Sequence, residues 1–148
     1  MRIACGFGLA ALVALAVWTS PSRADETVAY KDITAVELPM GNPSADVLGR
    51  PIAYPAGTPA IRAYRITVPP KKATILHRHP VPLYAYILSG TLEVDYGAKG
   101  QKTYRPGDNF LEAVDWCHAG RAVGDVPVVL ISVYIGADKT KNTVACPK

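Results

Sequence analysis

Short apolar runs recur from residue 60 onward, each ending near Pro, Gly or Asp, and they set the expected architecture. In the run at 91–96, apolar Leu92 and Val94 alternate with acidic Glu93 and Asp95, as in a strand with one buried face. Almost no segment has the helical spacing of about 3.6 residues. Many short strands are typical of an antiparallel sandwich or barrel, so we expect one all-β domain. The predicted strands are 61–68, 74–79, 84–88, 91–96, 102–105, 109–114 and 126–135.

The first 24 residues have the features of a secretory signal peptide. Basic Arg2 precedes an unbroken apolar stretch at 9–17, and the segment ends in the small residue Ala24. A buried N-terminal helix is the alternative, and it leaves the basic start and the small-residue ending unexplained. We therefore predict cleavage after Ala24, with a periplasmic or secreted product and no membrane anchor after cleavage.

The segments that flank the predicted barrel at 60–136 differ from it in composition. Proline and glycine interrupt residues 25–59 every few positions, which excludes a long helix. We expect an arm with short edge strands there, with weak strand character at 28–38. Residues 137–148 are expected to form a C-terminal tail.

The charge distribution argues against nucleic acid as a partner. The whole chain carries a net charge of +4 at pH 7, but Arg2 and Arg23 belong to the expected signal peptide. The remaining bases are dispersed, and only Lys71 and Lys72 are adjacent. A nucleic-acid-binding surface needs Lys and Arg clustered on one face.

The chain has three histidines, and all of them fall within the predicted barrel. His77 and His79 lie two apart on one predicted strand, so their side chains point to the same face. A further strand that brings His118 opposite them would gather three nitrogens around one point. An isolated His-x-His pair is more often a surface feature, but imidazole is also the commonest side-chain metal ligand. We expect these three side chains to bind a metal.

These residues resemble the cupin superfamily, a family of small double-sheet jelly-roll barrels, over roughly residues 60–136. The family's first motif places His-x-His on a strand and a Gly at the next turn, which the histidine pair and Gly90 match. Its second motif runs from a Pro-Gly-Asp turn to a His, which residues 106–108 and His118 match. The resemblance implies a single-domain cupin (cupin type 2), a small-molecule ligand or substrate, and a homodimer.

The chain departs from the family pattern at several positions. The motif Glu after the histidine pair falls on Leu83, and the Asn after the last His falls on Ala122. The Gly before the first His is Lys71, and the Pro and Gly before the last His are Ala113 and Asp115. Without the Glu, three neutral imidazoles leave both charges of a divalent ion uncompensated, so the ion should attract anions.

The ligand set limits the metal without identifying it. Imidazole ligation suits Fe, Cu, Zn or Ni better than Mg or Ca, and it does not separate those four. Three protein ligands leave a tetrahedral or octahedral ion at least one position for water or substrate.

Further side chains are candidates for lining the cavity. Glu112 has the strand parity of His118 if no bulge intervenes, so it could replace the missing carboxylate or lie at the rim. Tyr84 and Tyr86 flank the Leu83 position and either supply a phenol or pack the sheet. The Glu112 prediction depends on strand alternation, and the tyrosine prediction depends on the place of both residues beside Leu83, the position of the family's Glu.

The residues just before His118 have opposite predicted orientations. Trp116 shares its parity and should line the pocket, whereas Cys117 should face away, which argues against a thiolate ligand. In an oxidising compartment, Cys117 either pairs with Cys146 or both remain free thiols.

Three functions are compatible with the sequence. The first is an exported metal-dependent enzyme, dioxygenase-like or isomerase-like by the resemblance, that acts on a small anionic or oxygenated molecule. The second is a module that binds a metal or small ligand without turnover, which the apolar Leu83 and the lack of an evident general base favour. The third is a metal-free barrel that serves in assembly.

Overall fold

The computed structural model describes residues 32–147. The chain divides into two units, 1–36 and 37–148. Of the first unit, only 32–36 are described, and they contain neither strand nor helix. The predicted signal peptide and the start of the arm lie outside the described residues, so both stay predictions.

Strands make up the regular structure of the second unit. Within residues 32–147 there is no α-helix, and Gly97–Lys99 forms a single 3₁₀ turn. The strands are Pro59–Val68 (β1), His77–Arg78 (β2), Leu83–Ser89 (β3), Thr91–Asp95 (β4), Gln101–Tyr104 (β5), Asn109–Leu111 (β6), Ala119–Val123 (β7), Val128–Ala137 (β8) and Val144–Ala145 (β9). No helix in this part of the chain is long and apolar enough to cross a bilayer.

The strands form two facing layers of antiparallel sheet. One layer has the order β1-β8-β3-β6. The other contains β5-β4-β7, which the bridges Ala73–Arg121 and His77–His118 extend to the β2-β9 pair. The protein is therefore an all-β jelly-roll barrel, as the sequence predicts.

Strand alternation builds the core between the layers. Along β3, Leu83, Ala85 and Ile87 are buried while the residues between them are half-buried. Leu92 and Val94 of β4 face the same interior, as do alternate residues of β8. Tyr96, which follows β4, is fully buried and is the largest such side chain among the described residues.

Several sequence predictions about strands were wrong in detail. Residues 32–58 contain only the isolated bridge Ala45–Pro51 and no strand, because prolines cannot donate ladder hydrogen bonds. The predicted strand at 109–114 ends at Leu111. Strand β7 was not predicted, because Ala-Gly-Arg-Ala lacks the β-branched and aromatic residues that indicate a strand.

Gly90 is required at the turn between β3 and β4. Its φ is +76°, and a Cβ there would lie 2.4 Å from the Pro127 carbonyl oxygen. Since that neighbour is backbone, no side chain can move away to make room. The close approach explains why the turn residue is glycine.

The segment before β1 is fastened to the barrel through Asp46. This buried carboxylate accepts hydrogen bonds from the backbone N–H groups of Leu48, Arg50 and Val114, at 2.9, 3.0 and 3.1 Å. The Arg50 guanidinium pairs with Asp46 and donates to the Val114 carbonyl. Asp46 thus ties the arm to the segment that leads into His118.

Candidate metal centre

The backbone brings two of the three histidines side by side. His77 donates from its N–H to the His118 carbonyl at 3.0 Å, and His118 donates to the His77 carbonyl at 2.8 Å. In such an antiparallel pair the two side chains project from the same face of the sheet. His79 lies two residues further, beyond β2, where its carbonyl accepts from the Asp115 N–H at 2.8 Å.

The three imidazoles converge inside the barrel. The ring centroids of His77 and His79 are 4.8 Å apart, and those of His77 and His118 are 4.7 Å apart. One ring nitrogen from each residue lies within 4.8 Å of the other two. His79 and His118 are buried and His77 is partly buried. The structure thus brings together the three residues that the sequence singled out.

Each imidazole is oriented by a backbone carbonyl at Nδ1. His77 Nδ1 lies 2.7 Å from the Ile75 carbonyl, and His118 Nδ1 lies 2.8 Å from the Trp116 carbonyl. His79 Nδ1 lies 3.0 Å from the carbonyl of Asn142, in the tail. A carbonyl oxygen only accepts hydrogen bonds, so Nδ1 carries the ring proton. Nε2 of the neutral ring then keeps a lone pair that can bind a metal.

Burial keeps these rings neutral. Desolvation lowers the pKa of His79 to about 3, and it also lowers the pKa values of His77 and His118. The carbonyl at each Nδ1 acts in the opposite direction but is the weaker effect. At neutral pH the site therefore offers three uncharged imidazoles, the form that ligates metals.

Glu112 is the carboxylate of the cavity. Its Oε1 accepts hydrogen bonds from the Tyr96 hydroxyl at 2.8 Å and from the Ala113 N–H at 2.7 Å. Its Oε2 lies 3.6 Å from His118 Nε2. Burial raises the pKa of Glu112 to about 7. Because burial also keeps His118 neutral, the contact is not an ion pair in the absence of a metal.

The cavity around these groups is small and otherwise mostly apolar. Its volume is about 80 Å³, which leaves room for an ion and a few water-sized groups. Leu83 lines it, in the position of the family's Glu, and is 5% exposed. The other lining residues are mainly aliphatic, apart from Thr74, Phe110, Ser132 and Tyr134.

Tyr84 and Tyr86 do not line this cavity, which removes them from the candidate lining residues and leaves the alternative that they pack the sheet. Both are half-buried on the outer face of β3, because the inward positions of that strand are Leu83, Ala85 and Ile87. Tyr84 instead borders a separate depression formed with the arm, near Met40.

Trp116 was also predicted wrongly. The segment between Leu111 and Ala119 is not a regular strand, and Asp115 has a φ of +52°, so parity is lost across it. The Trp116 indole donates to the Tyr96 carbonyl at 2.9 Å and borders an open depression of about 510 Å³.

Glu112 lines the histidine cavity, although the uninterrupted strand on which its prediction depended ends at Leu111.

Cys117 points away from the histidines, as expected, and forms a disulfide with Cys146. Their Cα atoms are 6.1 Å apart, within the usual range for a disulfide. Of the two alternatives that the sequence left open, the structure has the paired form.

Sequence reasoning missed several side chains at the site. Tyr96 has the parity of Leu92 and Val94, a signal that would have placed it inside. Tyr134, whose ring centroid is 5.3 Å from that of His79, alternates with buried Ser132 in the same way. Thr143, whose hydroxyl is 3.2 Å from His79 Nδ1, carries no such signal because it lies in the tail.

The residues fit a divalent transition metal. Two donor atoms on one tetrahedral or octahedral ion are roughly 3.0–3.4 Å apart for bonds near 2.1 Å. The 3.6 Å separation between Glu112 and His118 is close to this range. The separations among the histidines, up to 4.8 Å, exceed it by as much as about 1.4 Å, so the rings would move inward to share an ion. Nitrogen donors favour Fe, Cu, Zn or Ni over Mg or Ca.

The fold and the site together define a small jelly-roll barrel with a histidine-lined cavity. Residues 64–134 match the family model of the cupin domain. The region that carries the three histidines therefore matches a cupin domain, as the sequence motifs predict. No curated protein sequence matches the chain.

Solved structures with the same fold include two enzymes. The DMSP lyase DddQ from Ruegeria pomeroyi DSS-3 is 25% identical, with a TM-score of 0.50, over 57% of this chain and 42% of the lyase. An oxalate decarboxylase from Lactobacillus farciminis, solved as a formate complex, is 21% identical, with a TM-score of 0.50, over 61% of this chain and 27% of the decarboxylase. The matched region thus spans less than half of either protein.

Proposed function

We propose that this protein is an exported, metal-dependent enzyme that acts on a small anionic or oxygenated organic molecule. The observation that carries the proposal is the convergence of three neutral imidazoles, each with Nε2 free, in a buried cavity. The similar DMSP lyase is itself an enzyme, which supports catalysis over storage. The Cys117–Cys146 disulfide supports export, because disulfides persist in oxidising compartments.

His77, His79 and His118 would hold the metal through Nε2. The metal would supply Lewis-acid chemistry, or redox chemistry if it is iron or copper, at a substrate oxygen. The apolar walls exclude water and strengthen the attraction between the site and an anionic substrate. Glu112 is the titratable side chain placed to hold or move a proton beside the histidines, and Tyr96 and Ala113 fix its orientation.

A non-catalytic binding protein is the second candidate, and the size of the cavity favours it. A volume of about 80 Å³ leaves little room for an organic substrate beside an ion. A protein that captures a metal would need no larger space.

A homodimer remains a prediction from the family resemblance.

Elemental analysis of the protein, purified without a nickel column, tests the metal site. We expect about one Fe, Cu, Zn or Ni per chain, and we expect His77→Ala and His118→Ala to lose it. Glu93→Gln, on the outer part of the barrel, should retain it. Unchanged metal content in both histidine variants would refute the site.

Turnover separates the two candidates. The metal-loaded protein should consume or convert members of a panel of small carboxylic and enolic acids, with and without O₂. Tight metal binding without conversion of any member, and without a metal-bound water detectable by relaxation measurements, would favour the binding protein.

A further inference from the structure

We infer that Glu112 supplies the carboxylate of the metal centre, in place of the family Glu whose position Leu83 occupies. This inference rests on the proposed function, because it concerns a ligand of the same site. The carboxylate would come from the segment after β6 and not from β3. The centre would then have three imidazoles and one carboxylate, with a net charge of +1 for a divalent ion.

The contact between Glu112 and His118 carries the argument. His118 donates from Nδ1 to the Trp116 carbonyl, so its Nε2 presents a lone pair toward Glu112 Oε2, 3.6 Å away. Within residues 32–147 no N–H or O–H group donates to Oε2, because both donors to this carboxylate bind Oε1. Two acceptors face each other, and a cation between them would satisfy both.

The surroundings of Glu112 hold it in this position. The side chain is only 5% exposed, and burying a carboxylate is costly unless it is paired with a cation or hydrogen-bonded. The fully buried Tyr96 donates its hydroxyl to Oε1, and the Ala113 backbone restrains the same oxygen. Oε2 is thereby directed toward the histidines, an arrangement that stabilising the fold alone does not require.

Cobalt(II) binding tests the inference, since its visible spectrum reports coordination. Glu112→Gln keeps the shape and the acceptor for Tyr96 but removes the charge. We expect it to weaken Co(II) affinity at least ten-fold and to change the d–d spectrum. Leu83→Glu in the Glu112→Gln background should restore affinity, because position 83 also lines the cavity. Glu93→Gln is the matched control and should bind like the wild type.

The outcomes are distinguishable from failure of the proposed function. Wild-type affinity and spectrum in Glu112→Gln, with loss of binding in His77→Ala, would overturn the carboxylate ligand alone. Absence of Co(II) binding by the wild type would overturn both. If Glu112→Gln does not fold by circular dichroism, Tyr96→Phe replaces it, because it leaves the carboxylate in place but removes one of the two donors that orient Oε1. Unaltered Co(II) affinity and spectrum in that variant would likewise overturn the inference.

A separate observation concerns the C-terminal tail. Nδ1 of His77 and of His118 each contacts the backbone carbonyl of the residue two positions earlier. Nδ1 of His79 instead contacts the Asn142 carbonyl and the Thr143 hydroxyl, both in the tail. The tail then pairs with β2 through β9, and the Cys146 N–H donates to the Leu76 carbonyl at 3.0 Å. The disulfide to Cys117 closes this arrangement covalently.

We propose that the disulfide is a redox-sensitive lock on the metal centre, again resting on the proposed function. Reduction by a dithiol breaks the S–S bond, adds two electrons and two protons to give two thiols, and oxidises the dithiol to a disulfide. The tail is then held by noncovalent contacts, namely the β2-β9 pair and the hydrogen bonds of Thr143 and Cys146, so the Nδ1–H tautomer of His79 is less firmly fixed. The affinity of the site for a metal should fall when the His79 tautomer is less firmly fixed.

Co(II) affinity and imidazole ¹⁵N NMR test this proposal. In Cys117→Ser/Cys146→Ser, which has no free thiol to bind metal, we expect affinity at least ten-fold lower and mixed tautomers at His79 alone. Thr143→Val, with the disulfide intact, should show a smaller change in the same direction, and Thr143→Ser should behave as wild type. A serine variant with unchanged affinity and an unchanged His79 tautomer would overturn the proposal. If the serine variant does not fold, reduced and alkylated wild type, which also has no free thiol, takes its place under the same criteria.

Discussion

His77 and His118 exchange both of their backbone hydrogen bonds, at 3.0 and 2.8 Å, and their ring centroids lie 4.7 Å apart. This pair places the rings before any metal binds. The site is therefore largely preformed, and metal binding should stabilise the folded state without rebuilding it.

Thermal unfolding checks that expectation. Zn²⁺ at about 100 times its dissociation constant should stabilise the wild type by about 2.7 kcal/mol and raise Tm by several degrees. The far-ultraviolet circular dichroism should stay the same. His118→Ala should show no Zn²⁺-dependent rise in Tm, and a rise equal to that of the wild type would contradict the preformed site.

The stability of the metal-free protein should increase as pH rises from about 4.5 to about 6.5. All three histidines of the chain lie in the site, and burial lowers their pKa values below 6.5. In this range the unfolded chain binds more protons at histidine than the folded one, so raising the pH favours folding.

Glu112 acts in the opposite direction, since burial raises its pKa from 4.5 to about 7. The contribution of Glu112 to the free energy of unfolding declines as pH rises through that interval, whereas the contributions of the three histidines grow. Urea midpoints measured with a chelator at several pH values show whether stability rises or falls with pH. A urea midpoint that decreases as the pH is raised from about 4.5 to about 6.5 would show that the histidines are not desolvated.

Gly90→Ala should destabilise the barrel by roughly 2–3 kcal/mol, because its Cβ would collide with the Pro127 carbonyl. Gly124→Ala is the matched control. Its φ is +90°, but no atom lies within 4 Å of the added Cβ, so backbone strain of about 1 kcal/mol is the expected cost. Chemical denaturation should rank the two variants in that order.

Asp46→Ala should cost roughly 3 kcal/mol, because it leaves three backbone donors and the Arg50 guanidinium without their acceptor. Asp125→Asn removes an exposed ion pair with Lys71 and should leave the urea midpoint unchanged. Equal midpoints for both variants would mean that the Asp46 contacts contribute nothing to folding.

Tyr84→Phe and Tyr86→Phe should bind Co(II) with wild-type affinity, since both hydroxyls lie outside the cavity. Tyr96→Phe should weaken binding, because the Tyr96 hydroxyl orients Glu112. Chelator competition measures all three. A larger effect from Tyr84 than from Tyr96 would reverse the assignment of faces on β3.

Residue alternation predicted what local geometry controls. It gave the strands around Leu92, Val94 and Ile87 and the shared face of His77 and His79, whereas Leu83 was singled out by the motif position it occupies. It failed for Trp116, because the backbone before His118 departs from strand geometry at Asp115. It also failed for β7, whose small residues form a strand only because neighbours on both sides pair with them.

The sequence alone determined the cupin barrel and the identity of the three histidines, because periodic burial and motif spacing are properties of neighbouring residues. The tertiary structure decided which carboxylate faces His118, which tail atoms orient His79, and that Cys117 pairs with Cys146. Those contacts join residues far apart in the chain, and their geometry depends on how the two sheets pack.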